Sequence, residues 1–346
     1  MFKKVIISIL LIGLLIGAYV GYNMYKNIYQ PNVTIAKNQD KYFYVHTGYT
    51  FDNVVNDLYE KGYIINRNSF EWVAEKKSNF KNNIKAGRYL LKDGMSNNEL
   101  IDLLRSGEQE PVKVTFNNVR TTRELAGKIT KNLECDSTEF YELITDKTFT
   151  SKYGFNTITI LTMFLPNTYE FYWNTSAEQL VKRMAEEYKN FWTEERKAKA
   201  KKLNLSQSEV SILASIVQAE QSVHADERAK VAGLYINRLR KGMLLQSDPT
   251  VVYGIGDFNI NRVLTKHLQY NSPYNTYMYK GLPPGPINLP SIKSLDAVLN
   301  YEKHNYIYMC AKYDFSGYHA FAADYNTHIN NARKYQQELN RRRIYN

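Results

Sequence analysis

The chain opens on an apolar run, Val5–Tyr22, which carries no charged side chain and follows directly on Lys3-Lys4. About 20 such residues are what a helix needs to cross a bilayer. A cleaved export signal has a shorter core of about 7–15 residues and ends on a small-residue A-x-A-like site. Gly17-Ala18-Tyr19-Val20-Gly21 offers none. The pattern therefore predicts an uncleaved transmembrane anchor in residues 1–25, with Lys3 and Lys4 favouring a cytoplasmic N-terminus. Residues 26–40 are polar, contain Pro31 and read as a juxtamembrane linker. From Lys41 the pattern becomes mixed. Tyr42–Val45 and Gly87–Leu91 have strand composition. Between them, Val54, Val55 and Leu58 recur at helical spacing up to Gly62, a C-cap position, and Asn68–Lys76 forms a second helical segment. Ser96-x-x-Glu99 is a capping box opening Leu100–Arg105. A small β-α-α-β module thus occupies 41–110.

A larger mixed domain fills 111–346. Val112–Phe116 reads as a strand, and Thr121-x-x-Glu124 caps a helix over Leu125–Leu133. Leu180–Leu203 reads as one long, charged helix, and Ser206-x-x-Glu209 caps another. Ala229–Arg240 is helical up to Gly242, and Asn330–Arg343 forms a basic amphipathic helix. The fold class predicted is α+β.

Charge and cysteine usage narrow the function classes. A formal charge of +11 suits nucleic acid, an anionic membrane surface or an acidic polymer. No nucleic-acid module is visible and the lysines scatter along solvated helices, so an exported body beside an anionic bilayer is preferred to a specific polyanion site. Cys135 and Cys310 are too few for a disulfide framework. The six histidines show no metal-ligand spacing, so neither a metal nor a cofactor is expected.

The chemistry concentrates between Leu213 and Pro286. Glu220 follows the apolar positions Val210, Leu213, Ala214, Ile216 and Val217 near the end of the helix that Ser206 opens. Burial and the negative end of the helix dipole both disfavour its anion, which suits a general acid still protonated near neutral pH. The bland reading is a helix-end Glu paired with Arg228 or Arg238. Stiff polar and aromatic loops follow. Gln246, Asp248, Thr250, Tyr253, Ser272, Tyr274, Asn275 and Thr276 are the candidate substrate-binding residues, a set suited to a neutral polymer such as a glycan. Each has turn chemistry or packing as its ordinary alternative. Asp226 and Glu227 read as first-turn acids of the next helix, and Asp248 as a turn-setting or substrate-bonding group rather than a nucleophile. Pro283-Pro284-Gly285-Pro286 stiffens the last loop.

Taken together, Ala214-Ser215-Ile216-Val217-Gln218-Ala219-Glu220, Asn237-Arg238-Leu239, Gln246–Thr250, Ser272–Tyr277 and Gly281–Ile287 closely resemble the YceG-like family of endolytic murein (lytic) transglycosylases. The resemblance implies that Glu220 is the catalytic acid, that His319 in Gly317-Tyr318-His319-Ala320-Phe321 belongs to the site, and that the 41–110 module is LysM-like. It implies endolytic cleavage of the MurNAc–GlcNAc bond of newly made strands, with 1,6-anhydro-MurNAc formed by the substrate's own 6-hydroxyl. The chain would work at the outer face of the bacterial plasma membrane, with peptidoglycan strands as substrate and peptidoglycan synthases as partners. Three positions depart from the family's pattern: Gln218 and Thr327 stand where it has Glu, and Asn167 where it has Asp. These losses sustain an alternative, a weak or inactive peptidoglycan-binding scaffold of the wall-synthesis machinery.

Overall fold

The computed structural model describes residues 2–344. The chain divides into two units. The first takes in everything up to Lys113, with the short stretches Asn132–Cys135 and Glu170–Ser176. It begins with α1 (Phe2–Tyr29), the one helix among the described residues that is long and apolar enough to cross a membrane. The sequence places a linker at 26–40, but α1 runs on through Lys26 to Tyr29, and Asn32 and Val33 are buried. The reason is a hydrogen-bond knot. Asn32 Nδ2 donates to Asn66 O at 3.0 Å and to Asn97 Oδ1 at 2.6 Å, while its Oδ1 accepts from Asn66 N at 2.7 Å. Asn97 Nδ2 in turn donates to Asn27 O at 2.8 Å, in the last turns of α1.

The rest of this unit follows the expected order. Strand β1 (Tyr42–Val45) pairs antiparallel with β2 (Gly87–Leu90), from Tyr42 opposite Leu90 to Val45 opposite Gly87. Between them lie α2 (Phe51–Glu60), whose N-terminus Thr50 closes with a capping box, and α3 (Arg67–Lys76). Ser96 caps α4 (Asn97–Ser106) in the same way. Their apolar faces, including Leu58, Phe70, Leu100 and Leu104, meet in one core with Phe80 from the turn after α3. Each such side chain contributes about 1.5–3 kcal/mol by leaving water.

Strand β3 (Val112–Phe116) pairs with β4 (Asn167–Phe171), and the second unit holds α5 (Thr122–Ile129), α6 (Ser137–Thr145) and α7 (Lys147–Ser151). The expected long helix is two helices, α8 (Ala177–Phe191) and α9 (Glu194–Lys202). Trp192 is buried at the break, and Thr193 restarts the chain by accepting from Arg196 N, with Glu194 and Glu195 in the first turn of α9. Then come α10 (Gln207–Glu220), α11 (Arg228–Arg240), α12 (Asp248–Ile255), α13 (Thr265–Leu268) and α14 (Ile292–Leu299). The antiparallel hairpin β5 (Tyr308–Ala311) and β6 (His319–Ala322) precedes α15 (Tyr325–Arg341).

Helix α10 is the axis of this unit. Every residue from Val210 to Val217 is buried, and α11, α12 and α14 pack around it. A helix buried on all sides cannot slide or tilt without opening a cavity. Its last residue, Glu220, is fixed accordingly.

Candidate active site

Glu220 meets neither Arg228 nor Arg238. Its Oε1 accepts from the Tyr235 hydroxyl at 2.9 Å and from the Ser247 hydroxyl. Tyr235 comes from α11 and is 1% exposed; Ser247, just before α12, is 0% exposed. Burial pushes the Glu220 carboxyl above its ordinary range. The hydrogen bonds from Ser247 and Tyr235 pull it back in part, as does the charge of His319, while the charge of Asp248 adds to the rise. Because both hydroxyls occupy Oε1, Oε2 is the oxygen left to carry a proton.

The residues after Ser247 divide into support and lining. Thr250 and Thr276 are buried at 0% and 2% exposure and share a hydrogen bond of 2.8 Å. Thr276 Oγ1 also accepts from Ser247 N at 3.0 Å, and Thr250 Oγ1 donates to Ser247 O at 2.7 Å. Asn275 spends its side chain on Leu268 O and Tyr270 O, and buried Ser272 accepts from Tyr274 N. These four expected substrate contacts are buried and bonded within the protein, and they brace the loop that presents Ser247. Gln246 also holds shape, at φ 52°, a left-handed conformation that costs about 1 kcal/mol or more. Arg238 stabilises that turn by donating to Leu244 O at 3.1 Å, Leu245 O at 2.7 Å and Gln246 Oε1 at 3.2 Å. The bend is tight elsewhere too: a Cβ on Gly254 would lie 2.7 Å from Ser272 Oγ.

Asp248 and Tyr253 do face open space. They line a cavity of about 1120 Å³ whose walls include Gln218, Ala219 and Ser222 around the end of α10. Glu220 is not itself in the lining; its neighbours Ala219 and Ser222 and the neighbour of Ser247, Asp248, form the wall beside it. Asp248 accepts from the Tyr277 hydroxyl at 2.6 Å, and Tyr274 packs its ring 4.6 Å from that of Tyr253. His319 opens β6 and is clamped by Glu227: its N and Nδ1 donate at 2.9 Å and 2.7 Å. Gln221 Nε2 adds a third bond to Glu227, at 2.5 Å. Burial pushes the Glu227 carboxyl up, but these bonds outweigh it and leave the group below its ordinary range. Glu227 is therefore not simply a helix-dipole acid; it lies in a 3-10 turn ahead of α11 and holds His319.

The departures from the expected pattern have separate structural roles. Gln218 points to Ser291 and Ser294, away from Glu220, as positions two apart on a helix must. Asn167 is exposed at the start of β4, and Thr327 caps α15 with Asp324. The sequence did not indicate that Tyr235 and Ser247 bond Glu220 or that Glu227 bonds His319. Among the described residues no group of His, Cys, Asp and Glu is arranged to hold a metal.

A half-buried acid with two buried hydroxyls on one of its oxygens, beside a ligand-sized cavity on an α+β domain, defines the candidate site. A model of the YceG-like family matches residues 43–334. The chain belongs to that family. It is 33% identical over 243 residues to an endolytic murein transglycosylase of Bacillus subtilis (strain 168), covering 66% of this chain and 67% of the relative. It is 28% identical over 344 residues to the protein of that name from Streptococcus pneumoniae serotype 2, covering 89% of this chain and 61% of that one. The crystal structure of a yceG-like protein from Listeria monocytogenes aligns with a TM-score of 0.55 at 25% identity, over 84% of this chain and 97% of that one.

Proposed function

We propose that the chain is a membrane-anchored endolytic transglycosylase of peptidoglycan, with Glu220 as its catalytic acid. The carrying observation is that Glu220, half-buried at the end of α10 against buried Tyr235 and Ser247, is raised in pKa and accepts both hydroxyls through Oε1. Protonated on Oε2, it gives that proton to the glycosidic oxygen as the bond from C1 of MurNAc breaks. The 6-hydroxyl of the same ring attacks C1 and returns its proton to the Glu220 carboxylate. The acid is regenerated, no water is consumed, and the strand ends in 1,6-anhydro-MurNAc. Tyr235 and Ser247 stabilise the anion between the two steps, as donors to a charged oxygen do.

Supporting features are the names carried by the relatives from Bacillus and Streptococcus and the apolar α1, which suits an anchor in the plasma membrane with the remainder outside. We assign newly made strands as substrate, synthases as partners and a glycan-holding LysM-like role to the β1-α2-α3-β2 module on the family resemblance. Digestion of purified sacculi followed by mass spectrometry tests the reaction. Anhydro ends, lighter by one water than reducing ends, support it. Reducing ends would mean hydrolysis, with Asp248 as the second carboxylate, and no cleavage would mean a scaffold.

A further inference from the structure

Arg228 is 8% exposed, stands in the wall of the 1120 Å³ cavity and has no carboxylate at ion-pair distance among the described residues. Its guanidinium donates only to neutral oxygens: Nε to Gln221 O at 2.8 Å, one terminal nitrogen to Ser294 Oγ at 3.1 Å and Ser291 Oγ at 3.5 Å, the other to Ser222 O at 3.2 Å. The adjacent acid, Glu227, is taken up by His319 and Gln221. A guanidinium cannot shed its charge at any working pH, and a buried charge without a partner is costly. Gln218 is the side chain placed to neutralise it. Both reach Ser294, whose hydroxyl donates to Gln218 Oε1 at 2.9 Å, and an amide brings no charge.

The rest of the lining leans the same way. Arg120 and Arg262 share the cavity, with Arg120 lying 4.6 Å over the Phe258 ring. Of the two acids in the lining, Glu124 is paired with Lys128 at 3.1 Å and Asp248 is bonded by Tyr277. A volume of 1120 Å³ exceeds the roughly 300–1,000 Å³ of pockets for drug-sized ligands, leaving room for sugar rings and a substituent.

We infer that Arg228 is an anion site whose counter-ion is a carboxylate on the bound strand, so that the chain recognises an acidic glycan rather than a neutral one. The inference rests on the glycan-cleaving reading of Glu220 and deepens it. Two carboxylates qualify: those of the peptide stem, and that of the lactyl group, which becomes free when the stem is removed.

Binding by the full-length Glu220→Gln protein in detergent separates this from catalysis. Three ligands serve: stem-bearing strands, strands stripped by an amidase, and neutral N-acetylglucosamine oligomers of equal length. A carboxylate-bearing strand should bind about tenfold more tightly than the neutral oligomer, the scale of a hydrogen bond to a charged group, with the advantage falling as salt is raised. Tighter binding of stem-bearing strands assigns the stem, and of stripped strands the lactyl group. Gln218→Glu places a competing carboxylate beside Arg228 and should erase the advantage. Arg262→Glu, at an exposed position where folding is not at stake, should reduce it. Equal affinity for all three ligands, or an advantage that survives Gln218→Glu in a protein with a normal unfolding transition, would overturn the inference. Cleavage of sacculi by the unmodified chain is scored separately and does not bear on it.

Discussion

Glu220, half-buried at the end of α10, and Arg228, buried at the start of α11, are ionisable groups with no ion-pair partner among the described residues. They resolve the same electrostatic problem in opposite ways. Burial raises the pKa of the carboxyl, which favours the protonated form that an acid needs. The guanidinium has no such exit and must wait for an anion. Burial without a partner thus makes a reagent of one group and a receptor of the other. Their hydrogen-bond partners agree with this. Tyr235 and Ser247 are donors that stabilise a transient anion, while Ser222 O and Gln221 O are acceptors that hold a permanent cation.

The largest effect should come from Glu220→Gln. Amide for carboxyl keeps the bonds from Tyr235 and Ser247 but removes the proton donor, so turnover on sacculi should fall about 10²-fold or more. Stability should move the other way. A carboxyl whose folded pKa exceeds its unfolded one binds its proton longer in the native state, so that state weakens as pH climbs above the ordinary carboxyl range. Thermal melts should show the variant near parity at pH 4 and increasingly more stable than the native chain towards neutral pH. A variant that loses stability across that range would break the assignment of Glu220 as an acid of raised pKa.

Ser247→Ala comes next. It removes one donor to the Glu220 anion, so the pKa rises further and the alkaline limb of the pH–rate profile shifts upward, with a loss of rate. Tyr235→Phe should shift the limb in the same direction. A merely structural role for either hydroxyl would lower the rate with the profile unmoved. Thr276→Val leaves Ser247 N without its buried acceptor, removes one of the hydrogen bonds of Thr250 Oγ1, and should cost about 1–3 kcal/mol in denaturant unfolding. The smallest effect on catalytic pH dependence belongs to Gln218→Glu. Its side chain turns towards Ser291 and Ser294, so the pH optimum should stay in place although the new carboxylate sits beside Arg228. A clear upward shift would show that position 218 couples to Glu220 directly.

Much of this was legible in the chain because it is local. The capping boxes at Ser96 and Ser206, the β-α-α-β order and the candidacy of Glu220 at the end of an apolar helix all depend on residues within a few positions of one another. The break at Trp192 was signalled by Thr193-Glu194-Glu195, but the charged pattern on either side hid it. The bonding of the loop residues was hidden for a different reason. Thr250, Asn275 and Thr276 have the right functional groups, yet whether a hydroxyl faces a ligand or another threonine depends on pairing across 26 positions. Ser247 lay inside a motif already noticed, and Tyr235 looked like core. Only their convergence on one carboxylate oxygen gives them a role.

The knot at Asn32 bears on mechanics rather than chemistry. A helix of 28 residues is about 42 Å long, against about 30 Å of bilayer hydrocarbon. The surplus emerges as helix, and Asn27 O, Asn32, Asn66 and Asn97 splice it to α3 and α4 before the chain can bend. In the proposed bilayer setting the anchor behaves as a mast and not a rope. The first unit cannot wander along a tether but must lean as α1 leans, so bilayer thickness, by setting the tilt of α1, sets the attitude of that unit above the lipid surface.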